Sequence, residues 1–177
     1  MIEGDPLDDL GRELRDRVGH EMRLEAEMVE QDAESVQQRR RTLADLAIEL
    51  LSRGDTVTVI AGDRSIRGKV TYARGEIATV EAGIGTVDVH LAAGVVLRVD
   101  ERATDGGAPP RSGSDTLRAR IFEHEMAGTA IELWAPLHEI EPSGSIAAVG
   151  RDHVIVLDQD GREWAVPFLD IAWIRAI

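Results

Sequence analysis

Two stretches of this chain follow one pattern. "RGKVTYARGEIATVEAG", Arg67 to Gly83, and "SGSIAAVGRDHVIVLDQDG", Ser143 to Gly161, align when Gly68 is set on Gly144. Val70 then falls on Ile146, Ala78 on Val154 and Val80 on Val156, with "ARGE" or "VGRD" in the middle of each copy. Apolar residues at every second position, on both sides of a glycine-bearing turn, are the mark of paired β-strands. A chain that writes such a unit twice is predicted to be mainly β and internally duplicated.

The duplication extends beyond the hairpin. After Gly54 come five alternating runs, "DTVTVI", "SIRGKVTY", "EIATVEA", "GTVDVHL" and "GVVLRV", and the second half repeats the order as "TAIELWAP", "GSIAAV", "HVIVLD", "EWAVPFL" and "AWIRAI". With two extra residues in the first loop and one in the third, Val57 matches Ile131, Val89 matches Val166, Leu91 matches Phe168, Leu97 matches Ile174 and Arg98 matches Arg175. A helix-like piece precedes each set, "RTLADLAIELLSRG" and "DTLRARIFEHEMAG", the second with Asp115 as its expected N-cap. Between the sets lies "DERATDGGAPPRSGSD", whose Gly, Pro, Ser and charge have the composition of a linker. The expected organisation is a helical arm over 1–40, a helix and barrel over 41–100, a linker over 101–114 and a second helix and barrel over 115–177.

A short helix followed by five bent strands, with glycine in the second, resembles the Sm-like form of the SH3-type small barrel. Gly68 and Gly144 take a structural role in that reading, because a side chain at the bend of strand two would crowd its neighbour. "GKVTYARGEIATV" and "GSIAAVGRDHVIVL" resemble the first Sm motif in apolar spacing, and "LRV" and "IRA" the close of the second. The resemblance implies tandem five-stranded Sm-like barrels. It does not carry over the family's RNA-contact residues apart from Arg98 and Arg175, since the loop asparagine is replaced by Ala78 and Val154. The whole layout also resembles a group of actinobacterial proteins with a helical N-terminus followed by two such units, which implies the architecture and no activity.

From Leu7 to about Ser52 apolar residues recur at helical spacing and there is no proline. The stripe is thin through "EMRLEAEMVEQDAESVQQRRR", so this long amphipathic arm gains burial best by pairing with a copy of itself. A homodimer through the segment Leu7 to Val36 is the expected assembly. Residues 1–50 carry 7 basic and 14 acidic side chains, against 6 of each over 51–100, so the N-terminal segment carries −7 of the net −13. That bias repels phosphate backbones and anionic membranes. No run of the sequence approaches the ~18 apolar residues of a membrane span, and none at the N-terminus has signal-peptide character; no membrane association and a cytoplasmic location are expected.

Chemistry finds little support. There is no cysteine, which removes thiolate metal sites and cysteine nucleophiles. "GDRSIRGKV" departs twice from the phosphate-binding loop: five residues separate Gly62 from Gly68 instead of four, and Val70 stands where a hydroxyl must hold magnesium. "HEMAG" begins like a zinc-protease helix, but Gly128 replaces the second histidine. No catalytic residue, metal or cofactor is expected, and the chain is read as a non-enzyme.

Two groups of side chains remain as candidate contacts. Arg64, Arg67, Lys69 and Arg74 gather on and around the second strand of the first copy, with Arg67 and Lys69 on one face, as a candidate nucleic-acid stripe. Trp134 and Leu137, in the lengthened first loop of the second copy, are candidate partner contacts. The preferred expectation is a binding module, an assembly or regulatory adaptor contacting another protein. The alternative is a nucleic-acid-binding regulator of Sm-like type acting on RNA or DNA.

Overall fold

A computed structural model describes residues 39–177. Helix α1 (Leu43–Arg53) starts at a capping box: the Thr42 hydroxyl accepts from the Asp45 N–H at 3.2 Å, and the Asp45 carboxylate accepts from the Thr42 N–H at 2.9 Å. Such a cap is worth about 1 kcal/mol. The helix stops at Gly54, whose φ of 75° is left-handed and whose N–H reaches the Leu50 carbonyl at 2.9 Å. Ala47, Leu50 and Leu51 are fully buried on its inner face, each leucine contributing roughly 1.5–3 kcal/mol by leaving water. Asp55 follows at once and is also buried. Its carboxylate takes the Arg53 guanidinium and, at 2.9 Å, the Ala103 N–H; Arg53 holds this carboxyl below the usual aspartate range.

Ten strands follow: β1 (Thr56–Ala61), β2 (Arg64–Arg74), β3 (Ile77–Ala82), β4 (Gly85–His90) and β5 (Val96–Glu101), then, after helix α2 (Leu117–Met126), β6 (Ile131–Trp134), β7 (Ser143–Val149), β8 (His153–Leu157), β9 (Glu163–Pro167) and β10 (Trp173–Ala176). Helix α2 is capped by the Thr116 hydroxyl, which accepts from the Ala119 N–H at 3.2 Å. Asp115, the expected cap, instead gives its carbonyl to the Glu76 N–H at 2.9 Å.

The sheet is continuous and antiparallel, in the order β5-β1-β2-β3-β4-β10-β6-β7-β8-β9. This corrects the expected fold class. The strands do not close into tandem Sm-like or SH3-type barrels; they form one open sheet, and the described residues hold two complete α-helices. The expected arm over 1–40 and its self-pairing segment lie outside the described residues. The reason for the single sheet lies at its centre. Val87, Asp88 and Val89 of β4 pair with Arg175, Ile174 and Trp173 of β10. Two strands that would be bare edges of separate units thereby satisfy their main-chain groups on each other.

Side chains cross the same seam. Trp134, Ala172 and Trp173 belong to the apolar cluster built on α1 and β1–β4, with the two indoles 6.3 Å apart between centroids. Ile77 is buried in the second cluster, with Leu117 and Ile121 of α2 and Ile131, Leu133, Val154 and Val156. Residues Thr42–Ile177 accordingly make up one compact unit. The segment between the strand sets is fixed at several points: Gly107 and Ala108 donate to the carbonyls of Ser52 and Leu51 at 2.9 and 3.0 Å, and the Tyr72 hydroxyl donates to the Ser114 carbonyl at 2.6 Å.

Helix α2 also covers a charged contact beside the seam. Asp88 is 8% exposed and accepts from the Thr79 hydroxyl at 2.6 Å, with Arg120 Nε at 3.5 Å and His124 Nε2 at 3.6 Å. Burial raises the affinity of this carboxyl for its proton, but His124, Thr79 and Arg120 together outweigh that and hold it below the usual range. No helix among the described residues is long and apolar enough to cross a membrane.

Candidate functional site

An open sheet has two ends, and its ends differ. Strand β9 runs from Glu163 to Pro167, and proline brings no N–H to an edge. Strand β5 is six residues long and, among the described residues, pairs only with β1 and so ends the sheet. Two apolar side chains stand uncovered on it, Val96 at 55% and Val99 at 38% exposure. An accessible strand edge with uncovered apolar side chains is the geometry that accepts a further strand.

Charges around β5 are arranged inward. Asp100 accepts from the Thr58 hydroxyl at 2.5 Å, Arg98 Nε at 2.8 Å and Arg67 Nε at 3.2 Å, and the Thr58 hydroxyl is the main reason its carboxyl sits below the usual range. Arg67 also reaches Glu101 at 2.5 Å. These bonds tie the β5 side chains to β1 and β2 where the β1–β5 register shifts between Thr56 and Val57.

The basic residues expected to form a stripe all lie on β2. Arg67 and Lys69 are exposed and alternate with buried Ile66 and Val70, so they do share one face. Acids accompany them: Arg67 is tied to Asp100 and Glu101, and Lys69 stands opposite Glu81 in the ladder. Arg64 points elsewhere, bonded to Glu141 and stacked 4.1 Å above the Trp134 ring. Arg74 ends the strand exposed. Arg98 lies on β5, while Arg175 sits within the sheet on β10, bonded to Glu132 at 2.8 Å.

Trp134 is 1% exposed and Leu137 is 73% exposed, so the two candidate partner contacts separate into a core indole and a surface leucine. Gly68 and Gly144 occupy matching places: Gly68 pairs with Val57 and Gly144 with Ile131. A Cβ at Gly68 would lie 2.2 Å from the Glu81 carbonyl oxygen, and one at Gly144 2.0 Å from that of Leu157. Among the described residues no group of three or more His, Asp or Glu side chains is placed to hold a metal ion.

No family model, curated protein or solved structure matches the chain. The β5 edge escapes sequence reasoning because alternation marks a strand and its faces, whereas the strand's rank within the sheet depends on partners far along the chain.

Proposed function

We propose that this protein is a non-enzymatic assembly or regulatory adaptor of the cytoplasm, and that it holds an extended segment of another protein along β5. The observation that carries this reading is the open edge itself, with Val96 and Val99 uncovered beside an inward-tied charge network. An added strand would gain main-chain hydrogen bonds along β5 and set apolar side chains beside Val96 on one face of the sheet and Val99 on the other. Self-association through the segment Leu7 to Val36 is the second part of the proposal, since a bivalent adaptor gains avidity when both copies engage one assembly.

Co-purification from the native host, with the unaltered chain and with Val96→Lys plus Val99→Lys, tests the edge. The expected result is a partner lost with the lysines while the melting temperature holds, because a charged edge resists strand addition. A partner retained at full yield overturns the reading. Light scattering of the full chain against a chain beginning at Thr42 tests the dimer.

Nucleic-acid binding is the competing reading, and the pairing of Arg67 with Asp100 and Glu101 weakens it. Submicromolar binding of RNA or duplex DNA at physiological salt, steeply salt-dependent and abolished by Arg67→Ala with Arg74→Ala, would put it first.

A further inference from the structure

Between the end of β4 and the turn joining β7 to β8 lies a cleft of about 590 Å³, within the usual size range of small-molecule sites. Its inner wall is His90, whose side chain is 3% exposed. The ring Nδ1 lies 3.1 Å from the Ile171 carbonyl oxygen, which can only accept, so in the neutral imidazole the proton sits on Nδ1 and Nε2 offers a lone pair. Nε2 makes no hydrogen bond. The nearest charged atom is Glu76 Oε1 at 3.8 Å, and that carboxylate is already anchored by the Leu117 N–H at 2.7 Å. Two acceptors therefore face the cleft with no donor between them.

The other wall has the opposite character. Arg118 donates from Nε to the Gly150 carbonyl at 2.9 Å, and Arg151, the next residue along, lines the same cleft. Arg151 has no hydrogen-bond or ionic partner among the described residues, and Asp152, the remaining acid of the lining, is engaged by His153 Nδ1 at 2.8 Å. Glu76 and Asp152 balance Arg118 and Arg151, so the cleft does not select on net charge but on where each sign sits. Its apolar part is Pro167, Phe168 and Leu169, the last 74% exposed at the rim.

We propose that this cleft binds a small zwitterion with an apolar side chain, a free amino acid or dipeptide. The ammonium donates to His90 Nε2 and Glu76, the carboxylate meets Arg118 and Arg151, and the side chain covers Phe168 and Leu169. The bidentate match of guanidinium to carboxylate gives the second pole its direction.

Titration calorimetry of the full chain with L-leucine and with leucyl-leucine tests the site and separates the two sizes. Saturable heat is expected with at least one of them. N-acetylation or C-terminal amidation of the ligand should each weaken binding by about tenfold or more, which is about 1.4 kcal/mol. Arg151→Ala, at an exposed position, should do the same while the melting temperature holds. No saturable heat with either zwitterion at millimolar concentration, equal binding of the blocked forms, or affinity unchanged by Arg151→Ala would each overturn the proposal. None of these outcomes bears on the β5 edge.

Discussion

The indole Nε1–H of Trp134 donates to the main-chain carbonyl of Ala61 at 2.9 Å, so the last residue of β6 closes the end of β1 from the other half of the sheet. Trp134→Phe keeps a large aromatic ring but removes that hydrogen bond, at a cost of about 0.5–1.5 kcal/mol. Trp134→Ala also opens a cavity and should cost about 3–5 kcal/mol. Urea unfolding of the two variants is expected to rank them in that order.

Substituting alanine at Gly68 or Gly144 drives a methyl group against backbone, which cannot swing aside as a side chain can. Each is expected to destabilise by about 3 kcal/mol. Gly83→Ala is the control, because a Cβ there meets no atom within 4 Å, and its melting curve should overlay the parent's.

Asp55 and Asp88 both have folded-state affinities for protons below that of an ordinary carboxyl. Their contribution is therefore fully present above the unfolded pKa of about 3.9 and is lost as pH falls through the lower, folded values. Stability should decline below about pH 4, and Asp55→Asn should flatten that decline while lowering stability at neutral pH. An unchanged acid slope in the variant would remove Asp55 from the account.

Limited trypsin digestion distinguishes Arg102 and Arg111, the two arginines between β5 and α2. The amide after Arg102 belongs to Ala103 and is bonded to buried Asp55, whereas Arg111 and Ser112 are exposed. Cleavage after Arg111 should precede cleavage after Arg102 by about tenfold or more in time, since proteolysis needs local opening. Asp55→Ala should bring the two rates together.

Much of the local structure is legible in the residues. Thr42 and Asp45, three apart before an apolar run and followed by Gly54, specify α1 and both its ends. Gly68 and Gly144 locate the tight crossings, and the strands follow the alternating runs. The architecture is not legible, because the β4–β10 pairing joins residues more than 80 positions apart in the sequence and leaves no periodic trace. Trp134 shows the same limit: expected in the loop after the first strand of the second copy, it is the last residue of β6, and only the seam reveals that Ala61 and Trp173 enclose it. The cleft at His90 draws on β4, α2 and the β7–β8 turn, whose residues acquire a common surroundings only after the sheet forms.

The position of β10 gives the sheet an order of assembly. Its inner hairpins pair neighbours in the chain and form early, but its middle ladder waits until Trp173–Ala176 have been synthesised. Until then β4 and β6 each present an unsatisfied flank, and a nascent chain paused before Trp173 is a molecule with two sticky interiors. The centre of this sheet is closed by the last of its ten strands, and a chaperone that shields strands would be most needed in that interval.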